Sequence, residues 1–364
     1  MEDISYIIAN NLNSKVLVDW IKYIDWNIIC ANYNSIDFLY DNLDKINNKS
    51  HFYLISNKNP RVIGIIEIFL DKFDRECKNL LCRNENAYEL IKKIVNFDNI
   101  ENHYLQYLCR NINPKIVNIL KKYINEFEEL EWVYVLLNPS FIDIILDNFN
   151  VYFENDFFKT KNNIELYVSD ILYYLSKNSN ENVIPILKKN INNLTPINWD
   201  NICKNKNKKF INFIEENLHR LSDFNFLYLL SNTSATDLIL KHFIYLIDDD
   251  KYLEYFCLHP KLIHILEKKI NKFNKKCWIN LCENPNSYDL LINNIDNISD
   301  PYYISRMCCN TNPIFMNLIK NNISKINKLF LMKNPNIFID NDIEIISKSI
   351  YKNILYKEKK EIKL

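Results

Sequence analysis

The residues of this chain with the strongest chemical potential are its 10 cysteines and 6 histidines. Cysteine and histidine bind zinc when short spacings bring pairs of them together, and both act as catalytic groups beside a suitable partner. Only Cys308 and Cys309 are adjacent, and adjacent side chains chelate poorly. No histidine stands at a motif spacing from an acid or a nucleophile, and hydrolase, phosphate-loop and zinc-peptidase signatures are absent. We therefore predict no catalytic, metal or cofactor site.

Most of the cysteines share one position relative to a recurring asparagine, which lies two residues after each of them. Other occurrences of the pattern carry alanine, leucine, methionine or serine at this position, so we interpret it as a packing position for a compact side chain. Four tryptophans lie six residues before the asparagine, where sister segments carry leucine, and we expect them in the core. These residues are Cys30, Cys82, Cys109, Cys203, Cys257, Cys282 and Cys308, and Trp26, Trp132, Trp199 and Trp278.

The asparagine itself recurs about every 26 residues, a period typical of repeat architectures. Apolar stripes at helical spacing flank it, and prolines often follow it, which predicts a helical hairpin whose second helix is capped by the asparagine. The residue three positions earlier is apolar in every repeat except the one assigned to Asn59, where it is Ser56. The anchors are Asn11, Asn32, Asn59, Asn84, Asn111, Asn138, Asn178, Asn205, Asn232, Asn284, Asn310 and Asn334, with His259 at the same phase.

These patterns predict an all-α chain, a right-handed or similar α-solenoid of about thirteen short hairpins. The single glycine argues against glycine-dependent folds. Thr195-Pro196 and Asp300-Pro301 are expected to start first helices. We expect a short capping repeat over residues 1–24, helical repeats over 25–149 and 169–340, and a C-terminal cap and basic tail over 341–364. The longer step from Asn138 to Asn178 predicts an insertion at 150–168, either an elongated helix, a flap or a hinge.

The charges balance at 45 basic and 45 acidic residues, so no global attraction to nucleic acid or to an anionic membrane is expected. One local pattern stands out, because basic residues precede several anchors and would form a ridge at the hairpin tips. This ridge would meet an acidic partner or a phosphate backbone, or it is a set of solvated turns. Its residues are Arg83, Arg110, Lys177, Lys204 and Lys333, with Lys206, Lys208 and Lys209 beside them.

The segment from Leu281 to Leu291, which contains Asn284-Pro285, is the clearest repeat. It resembles the Asn-Pro-type helical repeat proteins of giant DNA viruses of amoebae, and the tryptophan position and the richness in Asn, Ile and Lys are also similar. The resemblance implies a viral interaction protein in the cytoplasm of an infected host cell, and it supplies no catalytic residues.

Taken together, the sequence predicts an intracellular, non-enzymatic scaffold that binds a protein partner. The chain begins Met1-Glu2-Asp3, which is the wrong charge for a secretory signal, and no apolar run approaches the roughly 20 residues that cross a bilayer. We expect a monomer without membrane contact. The alternative is an α-solenoid that binds RNA or DNA through the basic ridge, and an enzyme would require a polar cluster in the insertion or on the inner face.

Overall fold

The computed structural model describes residues 25–152, 157–159 and 165–310, together with residues 312, 314, 315 and 318, and it describes no side chains between 148 and 166. Several predicted features therefore lie outside the described residues. These are the capping repeat over 1–24 with Asn11, the anchor Asn334 with Lys333, and the C-terminal cap and tail over 341–364.

The described chain is built from short helices that alternate between the first and second helix of successive hairpins, which confirms the helical prediction. The first helices are α1 (Trp26–Ala31), α3 (Asn48–Ile55), α5 (Arg75–Leu81), α7 (Asn102–Leu108), α9 (Glu129–Leu137), α11 (Val168–Lys177), α13 (Pro196–Lys204), α15 (Asp223–Ser231), α17 (Leu253–Phe256), α19 (Lys275–Glu283) and α21 (Pro301–Met307). The second helices are α2 (Ile36–Asp41), α4 (Val62–Phe69), α6 (Tyr88–Ile94), α8 (Pro114–Leu120), α10 (Ile142–Tyr152), α12 (Ile184–Lys189), α14 (Lys208–Glu215), α16 (Thr236–His242), α18 (Ile263–Leu266) and α20 (Tyr288–Ile292).

Short 3₁₀ segments tighten the ends of many of these helices, as is common where a chain must turn within a few residues. They span Leu43–Lys45, Leu70–Lys72, Lys121–Glu126, Pro139–Phe141, Glu181–Val183, Ile191–Asn193, Leu218–Arg220, Thr233–Ala235, Ile244–Asp248, Pro260–Leu262, Glu267–Lys272 and Ile295–Ile298.

The first helices begin at polar caps that the sequence specifies locally. Thr195 and Asn198 form a capping box, with Pro196 at the first helical position of α13. The Asp300 carboxylate accepts a hydrogen bond from the Tyr302 backbone N–H at 2.7 Å, and Pro301 opens α21. A side-chain acceptor satisfies an amide that has no partner within the helix, and proline gives up a donor that is not needed there. Both predicted helix starts are therefore confirmed.

The insertion predicted over residues 150–168 contains a short antiparallel hairpin of β1 (Phe157–Lys159) and β2 (Glu165–Tyr167). Phe157 pairs with Tyr167, and Lys159 pairs with Glu165. These strands, the only ones in the described ranges, follow the end of α10 at Tyr152. The sequence analysis expected no strand here, because segments this short carry too little periodicity to identify.

The chain divides into two compact units, one comprising Asp74–Phe256 and the other Met1–Phe73 with Cys257–Leu364. Within Asp74–Phe256, consecutive first helices contact one another from α5 through α17. In the other unit, α1 contacts α3 and α19 contacts α21. Within each unit, these hairpins therefore pack against their neighbours in sequence.

The core positions follow the predicted register. Apart from Ser56, the residue three before each anchor in the described ranges is buried, as Leu108 and Val135 illustrate at 0% exposure, and the cysteines two before the anchors are buried as well. Trp132, Trp199 and Trp278 are buried, whereas Trp26 is half-buried and stacks on Phe38. The prediction that these cysteines and tryptophans pack inside the hairpins is confirmed for the buried residues.

Candidate functional site

The recurring asparagine lies at the end of the first helix. In two repeats it also caps the next segment as predicted, because Asn138 and Asn232 are the N-caps of the 3₁₀ segments that lead into α10 and α16. In the repeat of Asn111, a different residue caps the second helix. At Asn111, the backbone N–H donates to the Leu108 carbonyl at 2.9 Å, while the side-chain Oδ1 accepts from the Asn113 N–H at 2.8 Å. The second contact is an Asx turn, a local bond that asparagine makes as readily as a helix cap. The spacing of the asparagines along the sequence could not distinguish an Asx turn from a helix cap. Asn113 is the residue that caps α8, since its Oδ1 accepts from the Lys115 N–H.

The anchor side chain also reaches the preceding hairpin. The Nδ2 of Asn111 donates to the carbonyls of Cys82 and Asn84 at 2.8 and 3.1 Å. Carbonyls at a helix end have no partner within that helix, so the Asn111 amide bonds groups at the end of the preceding first helix and its turn. The same amide bonds, to one or both carbonyls, are made by Asn57, Asn138, Asn178, Asn205, Asn232, Asn284 and Asn310. We call this row of side chains the anchor ladder.

The anchor of the second described hairpin is Asn57, whereas the sequence analysis assigned Asn59. Asn57 is 1% exposed, and its Nδ2 donates to the carbonyls of Cys30 and Asn32 at 2.9 and 2.8 Å. With this assignment the residue three positions earlier is Leu54, which is fully buried, and the apparent exception at Ser56 disappears. The error came from weighting the Asn-Pro pair above the apolar register.

A second row of asparagines lies two residues after the anchors, and the sequence analysis did not identify it. The Nδ2 of Asn113 donates to the Glu85 carbonyl at 2.7 Å, and that of Asn180 donates to the Pro139 carbonyl at 2.8 Å. Asn59, Asn207, Asn286 and Asn312 make the equivalent bond, and Ser140 makes it through its hydroxyl. The sequence contains a pattern that predicts both rows of asparagines, namely the Asn-x-Asn triplet that recurs at the anchors.

Two of the basic residues before the anchors, Arg110 and Lys204, contact the next first helix, whereas Lys177 lies over the Tyr173 ring of its own helix. The Arg110 guanidinium lies 3.5 Å from the centroid of the Tyr134 ring, and the Lys204 ammonium lies 3.6 Å from that of Tyr228. Both tyrosines are four residues before the following anchor, so these are equivalent cation–π contacts between neighbouring repeats. Glu283 and Arg306 occupy the repeat positions of Arg110 and Tyr134, respectively, and form an ion pair there.

The predicted basic residues fall into two groups along the repeats. The first group comprises Arg83 and Arg110. Burial is the main cause that lowers the pKa of the Arg110 guanidinium, and the positive charge of nearby Arg83 is the second cause. The second group, here termed the lysine cluster, comprises Lys177, Lys204, Lys206, Lys208 and Lys209, all exposed. The turns that carry Lys177 and Lys204 are joined directly, because Asn205 Nδ2 donates to the Asn178 carbonyl. Leu137 occupies the same phase between the two groups, so the row of basic residues is interrupted there.

The first helices also expose large apolar side chains at one repeat position, eight residues before the anchor. Leu130, Ile197 and Phe224 are 45%, 51% and 75% exposed there. Sister repeats carry Glu76, His103, Asp170, Lys251 and Lys276 at this position. Asn225 Nδ2 donates to the Pro196 carbonyl at 2.8 Å, which places the starts of α13 and α15, and therefore Ile197 and Phe224, next to each other. The sequence alone could have indicated these exposed residues, because they are apolar at a position, eight residues before the anchor, where most other repeats carry a polar residue.

Among the histidines, His242 has a carboxylate partner that sequence spacing did not reveal. Glu215 at the end of α14 accepts from Lys241 Nζ at 2.7 Å and contacts His242 Nε2 at 2.9 Å. Hydrogen bonds from Lys241 and then His242 lower the pKa of the Glu215 carboxyl. A lowered pKa means that the contact stabilises the fold above the usual glutamate range and weakens as the pH falls. The three side chains link consecutive second helices.

The buried cysteines are poorly reactive because burial raises the pKa of their thiols. For Cys30, Cys77, Cys82, Cys203, Cys282 and Cys308 the pKa is raised to about 12, and that of Cys109 is raised well above its usual value. The thiolate is the nucleophile and the metal ligand. At pH 8, a pKa of about 12 leaves about one thiolate in ten thousand, so these side chains act as compact packing groups.

This predicts a simple labelling result. Treating the native chain with iodoacetamide at pH 8 is expected to alkylate Cys309 first, because it is the exposed thiol among the 10 cysteines. Mass spectrometry of the intact chain would follow the number of adducts, and the fully unfolded chain would give the count for all 10. Rapid native alkylation of Cys109 or Cys203 would contradict the burial described above.

No model of a protein family, no curated protein and no solved structure matches this chain. In residues 25–310, where described, no group of three or more histidine, cysteine or acidic side chains is arranged to hold a metal ion. No helix of the described part reaches the length and apolarity that a membrane crossing requires.

Proposed function

We propose that this protein is a non-catalytic scaffold that binds another protein through the exposed face of its first helices in the unit Asp74–Phe256. One observation carries the proposal: Leu130, Ile197 and Phe224 are exposed at a repeat position that is charged or polar in most of the other described repeats. Grouped exposed apolar side chains mark interaction sites, and burying one such side chain contributes about 1.5 to 3 kcal/mol. Phe224, the most exposed of the three, would be the central contact.

The proposal includes an α-solenoid of about thirteen hairpin repeats as the scaffold. Contacts between consecutive first helices and the two rows of asparagine bonds support it. In such an architecture the buried pattern sets the repeat, and the exposed positions are free to vary. The exposed variable positions would then select the partner.

Nucleic-acid binding is the second candidate, and the lysine cluster favours it. Lys206, Lys208 and Lys209 form no ion pair with any part of the chain that the structure describes. The aromatic rings argue against nucleic-acid binding. Arg110 and Lys204 already cover one face of the Tyr134 and Tyr228 rings, so that face is not available for stacking with a base. The net charge of zero also gives no general attraction to phosphate.

The proposed source and location of the protein rest on the resemblance of its Asn-Pro repeat to those of giant-virus proteins. We propose a viral protein that acts in the cytoplasm of an infected host cell and meets its protein partner as a monomer. The repeat around Asn284-Pro285 supports this proposal.

A capture experiment with matched variants tests the function. The wild-type chain, Phe224→Ser and Tyr245→Ser would be immobilised and incubated with nuclease-treated lysate of cells that express the protein. Tyr245 is a control for an exposed aromatic residue elsewhere, at 67% exposure in the 3₁₀ segment Ile244–Asp248. We expect quantitative mass spectrometry to show protein partners that are lost with Phe224→Ser and retained with Tyr245→Ser.

Two results would contradict the proposal. Retention of the same proteins by all three chains would place binding elsewhere. Recovery of nucleic acid alone before nuclease treatment, abolished by reversing the charges of Arg83, Arg110, Lys177 and Lys204, would favour the second candidate. A steep fall of affinity with salt would accompany that outcome.

A further inference from the structure

We infer that the surface formed by α13 and α15 binds an acidic protein segment that carries one large apolar anchor residue. The inference rests on the proposed function and names the class of partner for the same face. It combines two features of neighbouring repeats, an exposed apolar patch at the helix starts and the lysine cluster at the helix ends.

The apolar patch comprises Ile197 on α13 with Phe224 and Tyr228 on α15. Phe224 and Tyr228 are four residues apart, so they lie on one face of the helix, and Tyr228 is 37% exposed. Ile197 is held beside them by the bond from Asn225 to the Pro196 carbonyl. Aromatic and aliphatic side chains exposed together at neighbouring helices are suited to a large apolar side chain of a partner.

The lysine cluster lies at the ends of α11 and α13, in the turn after α13 and at the start of α14. Lys204 ends α13 and reaches over the Tyr228 ring, which joins the apolar patch to the basic end. Lys206, Lys208 and Lys209 follow within the next turn and have no carboxylate partner in the described chain. Unpaired ammonium groups attract carboxylates and speed their encounter with the surface.

The distance between the two features sets the spacing of the partner. Ile197 and Lys204 are seven residues apart on α13, which corresponds to about 10 Å along the helix axis. An extended segment covers this distance in about three residues. We therefore expect the acidic residues of the partner about three residues from its apolar anchor.

The carboxylates of the surface give the partner a direction. Asp223, at the first position of α15, is exposed beside Phe224 and would repel an acidic residue at that end. Asp200 is engaged by Asn225 Nδ2 at 2.6 Å, so its charge is held by the scaffold. The apolar anchor consequently belongs at the helix starts and the acidic residues at the helix ends.

A nucleic acid fits this surface less well than an acidic protein segment. The lysine cluster covers two consecutive turns, and the same phase carries Leu137 before it and Ser231 after it. An extended phosphate backbone would need a continuing basic row. Phosphate groups would make no favourable contact with Ile197 and Phe224, whereas an apolar side chain of a protein partner would be buried against them.

Selection from a library of random 16-residue peptides displayed on phage, with the immobilised full chain as bait, tests the inference. Enriched peptides would be synthesised with fluorescein and titrated by fluorescence anisotropy. We expect net negative peptides with a large apolar residue. Phe224→Ala is expected to weaken them about tenfold or more, as is the triple variant Lys206→Glu, Lys208→Glu, Lys209→Glu. The double variant Arg83→Glu, Arg110→Glu is the charge control, for which we expect less than about a threefold change.

The outcomes separate the inference from the proposed function. Peptides that depend on Phe224 but are neutral or basic would overturn the acidic partner and leave the protein-binding face intact. A selection in which no peptide depends on Phe224 would overturn both. A fluorescein-labelled single-stranded 16-nucleotide RNA that binds more tightly than the peptides, and loses binding in the lysine variant but not in Phe224→Ala, would assign the lysine cluster to nucleic acid.

Discussion

Replacing Asn111 by aspartate is expected to lower the free energy of unfolding by about 3 kcal/mol or more at pH 7. Asn111 is 0% exposed, and its Nδ2 donates to two carbonyl oxygens of the preceding turn. Aspartate keeps the shape and the acceptor oxygen but replaces the donor by a charged oxygen that faces those carbonyls. The variant therefore tests the amide donors of the anchor ladder without changing side-chain volume. Urea unfolding followed by circular dichroism would measure the change.

The effect of this substitution should depend on pH in a defined direction. Burial and facing carbonyl oxygens disfavour the carboxylate, so the pKa of the introduced aspartate would be raised in the folded state. An acid with a raised folded pKa costs no ionisation energy below its unfolded pKa, near 4, and destabilises increasingly above it. We expect the difference in the free energy of unfolding between the variant and the wild type to become smaller as the pH falls from 7 towards 4.

Asn182→Asp is the control for this experiment. Its side chain is exposed, so the same chemical change should alter the free energy of unfolding by less than about 0.5 kcal/mol. Equal effects at the two positions would show that the ladder contributes little to stability. A large effect of Asn111→Asp that does not diminish at low pH would show that the lost donor, rather than the new charge, dominates.

Replacing Trp199 by alanine is expected to destabilise the unit Asp74–Phe256 by about 3 to 5 kcal/mol. Trp199 is 3% exposed, and its ring stacks on that of Phe213, with 5.6 Å between centroids. Truncation would remove this contact between the two helices of one hairpin and leave a cavity that close-packed neighbours fill only in part. The midpoint and slope of urea unfolding would measure the loss.

Phe224→Ala is the matched aromatic control, on the neighbouring first helix. Phe224 is 75% exposed, so its truncation should change the free energy of unfolding by less than about 0.5 kcal/mol. This result would also show that a loss of partner binding in Phe224 variants does not arise from unfolding. If Phe224→Ala destabilised the chain as much as Trp199→Ala, the side chain would belong to the core and the binding face proposed above would be wrong.

Much of the fold could be predicted because each repeat presents the same buried side chains in the same order. The apolar residue three before the anchor, the cysteine two before it and the tryptophan six before it were correctly predicted to lie in the core. Imperfect copies of one pattern average out the ambiguity of any one segment. The assignment of Asn59 failed where a local feature, the Asn-Pro pair, was weighted above that register, and the bonds of Asn57 correct it.

The candidate site was predicted less well. The basic residues were recognised by their phase, but the contacts of Arg110 with Tyr134 and of Lys204 with Tyr228 join residues 24 positions apart, and no spacing within one repeat shows them. The exposed Ile197 and Phe224 were overlooked because an apolar residue in a helix is usually assigned to the core. Their exposure depends on which face of α13 and α15 the neighbouring helices cover.

By itself, the sequence determined that this protein is made of short helical hairpins with a fixed period, because periodic apolar residues, proline and polar caps act locally within about one repeat. The tertiary structure decided what the asparagines do. An amide can cap a helix, close an Asx turn or bond a neighbouring turn, and only the packing of consecutive hairpins brings the carbonyls of Cys82 and Asn84 within reach of Asn111. The same packing decided which apolar side chains stay exposed, since burial is a property of neighbours in space rather than of order along the chain.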